Sequence, residues 1–381
     1  MFNSRLSYWI WIAGLLLAIA FGVEAYAQQW QRGLAVTGMT DQVLWGLYIG
    51  NFVFLVGLAA SAVVLVIPAY WLQWDEVRQT TLLGECMAIV AVSMSLLFVF
   101  VDLGQPVRIW HALPFLGRLN FPVSILAWDM VILTLYLLLN VGLVVYLLWG
   151  RYTGQPRLVR RYFFWIVVAT LLGIGIHTVT AFMLSGLPAR PFWHSALMAP
   201  RFIASAFASG AAVLFLMFWV LEKTMGLQRS GQVISLLTGI MTLALLIHLF
   251  LLGAEWFVLL YRPTDHGESG RILYWGHSAL KLAVWSAIAA EVMVAIVLII
   301  RPLRHHFGVV WVASLLIVGA VLIEKGMGLI VPGFQPTPLG EYVNYLPTTV
   351  EIRVTVGIWA FGLLFFTLLA RLVVKRREPS Q

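Results

Sequence analysis

The sequence predicts an all-α, polytopic integral membrane protein of about ten transmembrane helices, packed as two four-helix bundles plus two extra helices. Three observations predict this. The 381-residue chain is 61% hydrophobic and only 10% charged, whereas soluble domains carry about 25% charged residues. Apolar runs long enough to cross a hydrocarbon core recur along its whole length, which is the primary signature of membrane spans. No polar stretch between them could fold as a soluble domain, so residues 1–381 read as a single transmembrane domain. The 17 Trp and 12 Tyr suit aromatic belts at the two interfaces.

In chain order, the runs place helices over 8–28, 43–72, 80–102, 121–149, 161–184, 200–222, 232–260, 273–300, 308–328 and 350–374. The first could be mistaken for a cleaved leader, since Arg5, an apolar run and Ala25-Tyr26-Ala27 follow one another. Glu24, just before that tripeptide, argues instead for a retained first helix. Helix 3 ends on Asp102, and helix 4 carries Asp129 about 12 Å from its start at 1.5 Å per residue. Helix 5 carries His177 late. Helix 7 carries His248 and Glu255 seven apart, hence on one face. Helix 8 is expected to carry His277 and Lys281 on one face, helix 9 to end on Glu324 and Lys325, and helix 10 to open with Glu351 and Arg353.

The formal charge is +8, but the basic residues lie in short loops, so a nucleic-acid partner is rejected in favour of the lipid bilayer. Lys and Arg favour the side of the amino terminus, most clearly at Arg151, Arg157, Arg160 and Arg161 and at Arg371, Lys375, Arg376 and Arg377. That bias puts both termini in the cytoplasm. The single cysteine, Cys86, excludes an internal disulfide and an iron–sulfur cluster held by four cysteines of this chain. It reads as a small apolar helix residue.

A charged side chain at a helix centre costs about 2.5–3.5 kcal/mol on insertion scales. Most such groups here fall in the outer half, and only Glu85 and Glu291 lie comparably deep on the inner side. Glu24, Lys325 and Arg353 read as snorkelling end residues or members of buried ion pairs. Asp129, His177, Glu255, His277 and Lys281 converge from different helices. Such a set suits a site that hydrogen-bonds a quinone oxygen and exchanges its protons. Three outward loops, 103–120, 185–199 and 326–349, are long and rich in Pro and aromatics, including Pro106, Trp110, Pro114, Trp193, Pro332, Pro336, Pro338 and Pro347. They suit a docking platform or a lid. The phrases RIWHAL at 108–113 and RPFWHSAL at 190–197 hint at an internal repeat.

Three readings compete. One is a quinone-interacting subunit of a redox complex. A second is a b-type cytochrome, for which His177, His248 and His277 are too few for two bis-His haems. The third is a secondary transporter, whose site would sit at paired midplane helix breaks.

Further phrases decide among them. They are RGLAVTGM at 32–39, WGLYIGNFVFLVG at 45–57, DLGQPVRIWH at 102–111, Trp128-Asp129, His177, PARPFW at 188–193, Trp275-Gly276-His277 and PTTVE at 347–351. Through them nearly the whole chain resembles the NrfD/PsrC family of polysulfide reductase-type membrane subunits. The ten-helix branch containing DsrP and HybB is the nearest, and the opening of helix 2 is most like DsrP. The resemblance implies a haem-free subunit without an iron–sulfur cluster, in the bacterial inner membrane. It would exchange electrons between menaquinone or ubiquinone near the periplasmic face and a ferredoxin-like iron–sulfur partner. In a Dsr sulfur-metabolism complex, a c-type cytochrome subunit would join it; a HybB-like hydrogenase subunit is the alternative. The family analogy directs the quinone to helices 2–5, with Tyr48, Asn51, Asp129 and His177 exchanging hydrogen bonds and protons. Asp102 and Arg108 are expected to pair beside them. Glu255, His277, Lys281 and Glu351 would form a second polar cluster, and with Glu85 and Glu291 a proton route. No metal ligand set is assigned.

Overall fold

The computed structural model describes residues 5–112, 116–154, 159–227, 230–261, 265–337 and 340–374. Of the residues named above, Arg157, Lys375, Arg376, Arg377, Pro114 and Pro338 lie outside these. Among the described residues there is no strand, and ten helices are long and apolar enough to cross a membrane. They are α1 (Arg5–Arg32), α2 (Leu47–Trp71), α3 (Asp75–Asp102), α4 (Ile125–Tyr152), α5 (Val159–Ser185), α6 (Met198–Met225) and α7 (Gly231–Tyr261). A short helix, α8 (Asp265–Tyr274), precedes α9 (Lys281–Ile299), α10 (Phe307–Phe334) and α11 (Thr349–Val374).

The packing is two four-helix rings side by side. Helices α2, α3, α4 and α5 close one ring, and α6, α7, α9 and α10 the other. The seam between them is made by α2 and α5 against α6, and by α2 against α10. Helix α11 lies on α3, and α1 lies on α11. Sequence explains these ranks. A helix that is apolar all round is buried, and α2 is buried at every residue from Tyr48 to Ala60. Helix α1 is mostly lipid-facing and meets α11 through small residues. A Cβ on Gly22 would come within 2.6 Å of Gly357 Cα, the close approach that glycine permits between membrane helices.

All the long connections fall on one face, here the long-loop face. They are 33–46, 103–124, 186–197, 262–280 and 335–348. Trp193 ties the 186–197 connection to the loop before α2 and to the end of α10. It is fully buried, stacks on Trp45 at 5.7 Å, and donates its indole N–H to Leu329 O at 2.8 Å. Its counterpart in the repeated phrase, Trp110, is exposed. Both phrases nonetheless form 3₁₀ turns.

Several expected boundaries move, and two of them change the reading of the interior or its rim. The eighth span begins only at Lys281, because residues 275–280 form a turn after α8. The ninth span runs past 328 to Phe334. That second change alters the reading of the whole interior.

Candidate functional site

Helix α10 is regular from Phe307 to Val321 and then opens into a π turn, Leu322–Met327. Such widened turns recur at functional sites. Here the turn carries Glu324 and Lys325, 2% and 3% exposed. Of the two readings of Lys325, a snorkelling helix end or a buried pair, burial removes the first. A further apolar stretch, Gly328–Phe334, follows it and is itself buried, so the ammonium has no short path to water.

Lys325 turns toward the first ring. Its Nζ lies 2.5 Å from His177 Nε2 and donates to Phe202 O at 3.2 Å, with the Phe202 ring 4.4 Å away. His177 Nε2 also lies 2.7 Å from Phe202 O. Nε2 can thus accept from the lysine in one tautomer or donate to the carbonyl in the other, but not both at once. The ring's Nδ1 is buried with no hydrogen-bond partner. The pair fits because residue 57 is glycine: a Cβ there would stand 3.1 Å from Lys325 Nζ and 3.2 Å from His177.

Asp129 sits one turn away. Thr180, three residues beyond His177 on α5, donates to Asp129 Oδ1 at 2.7 Å. Residues three apart are neighbours on a helix face. Because α4 starts at Ile125, Asp129 is about 6 Å from its end rather than 12 Å.

Glu324 turns toward the second ring, where Arg201 of α6 binds its Oε1. Arg201 also faces Glu255 Oε2 at 4.0 Å, and Ser195 donates to the same carboxylate oxygen at 3.3 Å. His248 lies 3.6 Å from Glu324 and 3.4 Å from Glu291. His248 and Glu255 do share a face of α7, as their spacing requires. A chain of buried ionisable groups therefore runs from His177 across the seam to Glu291.

The other candidates disperse. Tyr48 donates to Gln29 at 2.7 Å, and Gln29 donates to Val101 O. Asn51 donates to Leu47 O and accepts from Trp359 at 2.9 Å. Both point toward α1 and α11; Tyr48 is nine residues from Gly57, half a turn round the helix. The expected Asp102–Arg108 pair does not form: Arg108 is exposed, and Asp102 Oδ1 has no hydrogen-bond partner. Nor does the expected second cluster. His277 is exposed in a turn, and Lys281 binds the carbonyls of Trp275 and Gly276. Glu351 is a tie for the long-loop face, accepting from Gly38 N, Thr348 N and Tyr345 OH at 2.5–2.8 Å. Burial and that carboxylate push the Tyr345 phenol well above its ordinary range. Glu85 is buried in α3 with one oxygen unpartnered. Glu24 and Arg353 form a helix-end ion pair at 2.7 Å.

The family model for polysulphide reductase, NrfD, matches residues 35–335. The chain belongs to the NrfD family. The match covers both four-helix rings and leaves out α1 and α11. Full-length relatives agree with this NrfD assignment. The Halobacterium salinarum protein named "Putative dimethyl sulfoxide reductase membrane subunit" is 28% identical, over 97% of this chain and 92% of its own. The menaquinone reductase integral membrane subunit of Nitratidesulfovibrio vulgaris is 24% identical, over 96% and 91%. The Hdr-like menaquinol oxidoreductase integral membrane subunit of Archaeoglobus fulgidus is 21% identical, over 96% and 92%. These NrfD-like relatives are membrane subunits of oxidoreductase complexes, two of them quinone-linked by name.

Arg201, His248, Glu324 and Lys325 were missing from the candidate set. One signal was available. Glu324 and Lys325 are followed by the apolar run 326–334, broken only by glycines and a proline, which marks a span that continues.

Proposed function

We propose that this NrfD protein is the haem-free membrane subunit of a respiratory redox complex, exchanging electrons between a membrane quinone and an iron–sulfur partner. One observation carries the assignment of the site. His177 keeps an unpartnered buried Nδ1 while its Nε2 is held between Lys325 and Phe202 O, one turn from Asp129. A quinone oxygen accepts a hydrogen bond from such a donor, and the two protons that separate quinone from quinol need groups that supply or take them up. His177 and Asp129 are assigned those roles, with Lys325 setting the protonation of His177. Tyr48 and Asn51 become positioning residues of the α1–α2–α11 junction. The quinone, menaquinone or ubiquinone, is a substrate that enters laterally from the bilayer.

The positive-inside bias supports a periplasmic long-loop face with both termini cytoplasmic in the bacterial inner membrane. Exposed Val107, Trp110 and Leu116 on that face suit docking of a periplasmic ferredoxin-like subunit. The opening of α2 favours a Dsr-type sulfur complex with a c-type cytochrome subunit, and adjacent genes for those partners would support it; adjacent hydrogenase genes would favour the HybB-like alternative. Glu255 and Glu291 remain in a proton route, now reached through Glu324 and Lys325.

The test is His177→Gln and Asp129→Asn in the assembled complex. Each is expected to slow quinone-coupled electron transfer by about 100-fold, the lower range for loss of a general acid–base group. Unchanged turnover with unchanged inhibitor binding sinks the assignment.

A further inference from the structure

The second ring holds a group that a proton route alone does not explain. His248 of α7, Glu291 of α9 and Glu324 of the π turn are 1%, 0% and 2% exposed. One ligand atom from each lies within 4.8 Å of the others. Yet they do not hydrogen-bond. Both nitrogens of His248, both oxygens of Glu291 and Oε2 of Glu324 are buried without a hydrogen-bond partner. Five orphaned polar atoms at one point in an apolar interior call for an occupant.

The spacing names its class. His248 Nε2 stands 3.4 Å from Glu291 Oε2 and 3.6 Å from Glu324 Oε2. Metal–ligand bonds of 2.0–2.2 Å give tetrahedral edges of about 3.3–3.6 Å. The charges agree. Arg201 serves Glu324 Oε1 and faces Glu255, so it cannot also neutralise Glu291. A divalent ion would neutralise Glu291 and Glu324 together and leave Arg201 to Glu255. Arg201 on the far oxygen of Glu324 is also the outer-shell anchor that a ligating carboxylate uses. One imidazole and two carboxylates suit Zn²⁺, Mn²⁺ or Fe²⁺.

We propose that His248, Glu291 and Glu324 bind one divalent first-row metal ion, pinning α7, α9 and the π turn of α10 together. This departs from the sequence reading, which assigns the chain no metal; it does not rest on the quinone site, and it would take Glu291 and Glu324 out of the proton route.

The full-length chain is produced without partners, so that no partner iron interferes, and purified in detergent from cells supplied with Zn²⁺ and Mn²⁺. Elemental analysis is expected to find one equivalent of metal per chain. Cells supplied with Co²⁺ are expected to yield protein with the visible d–d bands of a tetrahedral N/O site. Glu291→Gln and His248→Ala are expected to lose the metal. Glu85→Gln, a change at a buried carboxylate in the other ring, is expected to keep it. Wild-type chain free of metal under both conditions overturns the proposal, even if the variants fail to accumulate. So does metal retained by both variants, or a His248 substitution that alters only a pH profile in a metal-free chain, which would mark a shared proton instead.

Discussion

Lys325 shows what a single residue costs and what it needs. An ammonium at the centre of a span is disfavoured by about 2.5–3.5 kcal/mol on insertion scales. It persists here because three groups receive it: the His177 imidazole, the Phe202 carbonyl and the Phe202 ring. Arg201 answers the same demand for Glu324. Removing one partner of a buried pair leaves an uncompensated charge and costs about 3–5 kcal/mol. Arg201→Met is therefore expected to lower the unfolding midpoint of the purified chain sharply. Arg201→Met combined with Glu324→Gln should recover part of that loss, because the stranded charge is gone. Equal loss in the single and double variants would show that Arg201 acts through packing alone.

At the scale of the element, the π turn of α10 is the device that matters. In a regular α-helix, adjacent side chains diverge by about 100°. Here one widened turn lets Glu324 reach α6 and α7 of one ring while Lys325 reaches α5 of the other. Gly57 on α2 and Gly326 on α10 keep the seam close; a Cβ on Gly326 would stand 3.2 Å from Gly50 O. Deleting Ile323 should restore regular helix and turn Lys325 off His177. The expected outcome is a chain that still inserts and assembles with its partners but has lost quinone-coupled electron transfer. Wild-type rates in this deletion would remove the turn from the mechanism.

At the scale of the molecule, two four-helix rings share one polar seam, with α1 and α11 outside the family match. Orientation decides which compartment meets the long loops. Alkaline phosphatase fused after Arg118 is expected to be active, and fused after Val374 inactive; the opposite pattern would invert the assignment of the partner side.

The ten spans were legible in the sequence because a bilayer imposes its demand on each helix separately. Local hydropathy over about 20 residues is enough to find them. The shared face of His248 and Glu255 was legible for a similar reason, since helical periodicity is also local. The family was legible from phrases such as DLGQPVR. What the sequence could not carry was any property that depends on two helices at once. It set Lys325 at a helix end, His277 on a helix and Asp102 beside Arg108; the tertiary structure buried the first, exposed the second and separated the third pair. Burial of a charge is settled by the counter-charges that other helices bring to it. Those partners lie 148 residues away for Lys325 and His177, and 123 for Arg201 and Glu324, so only the packing of the rings could choose them.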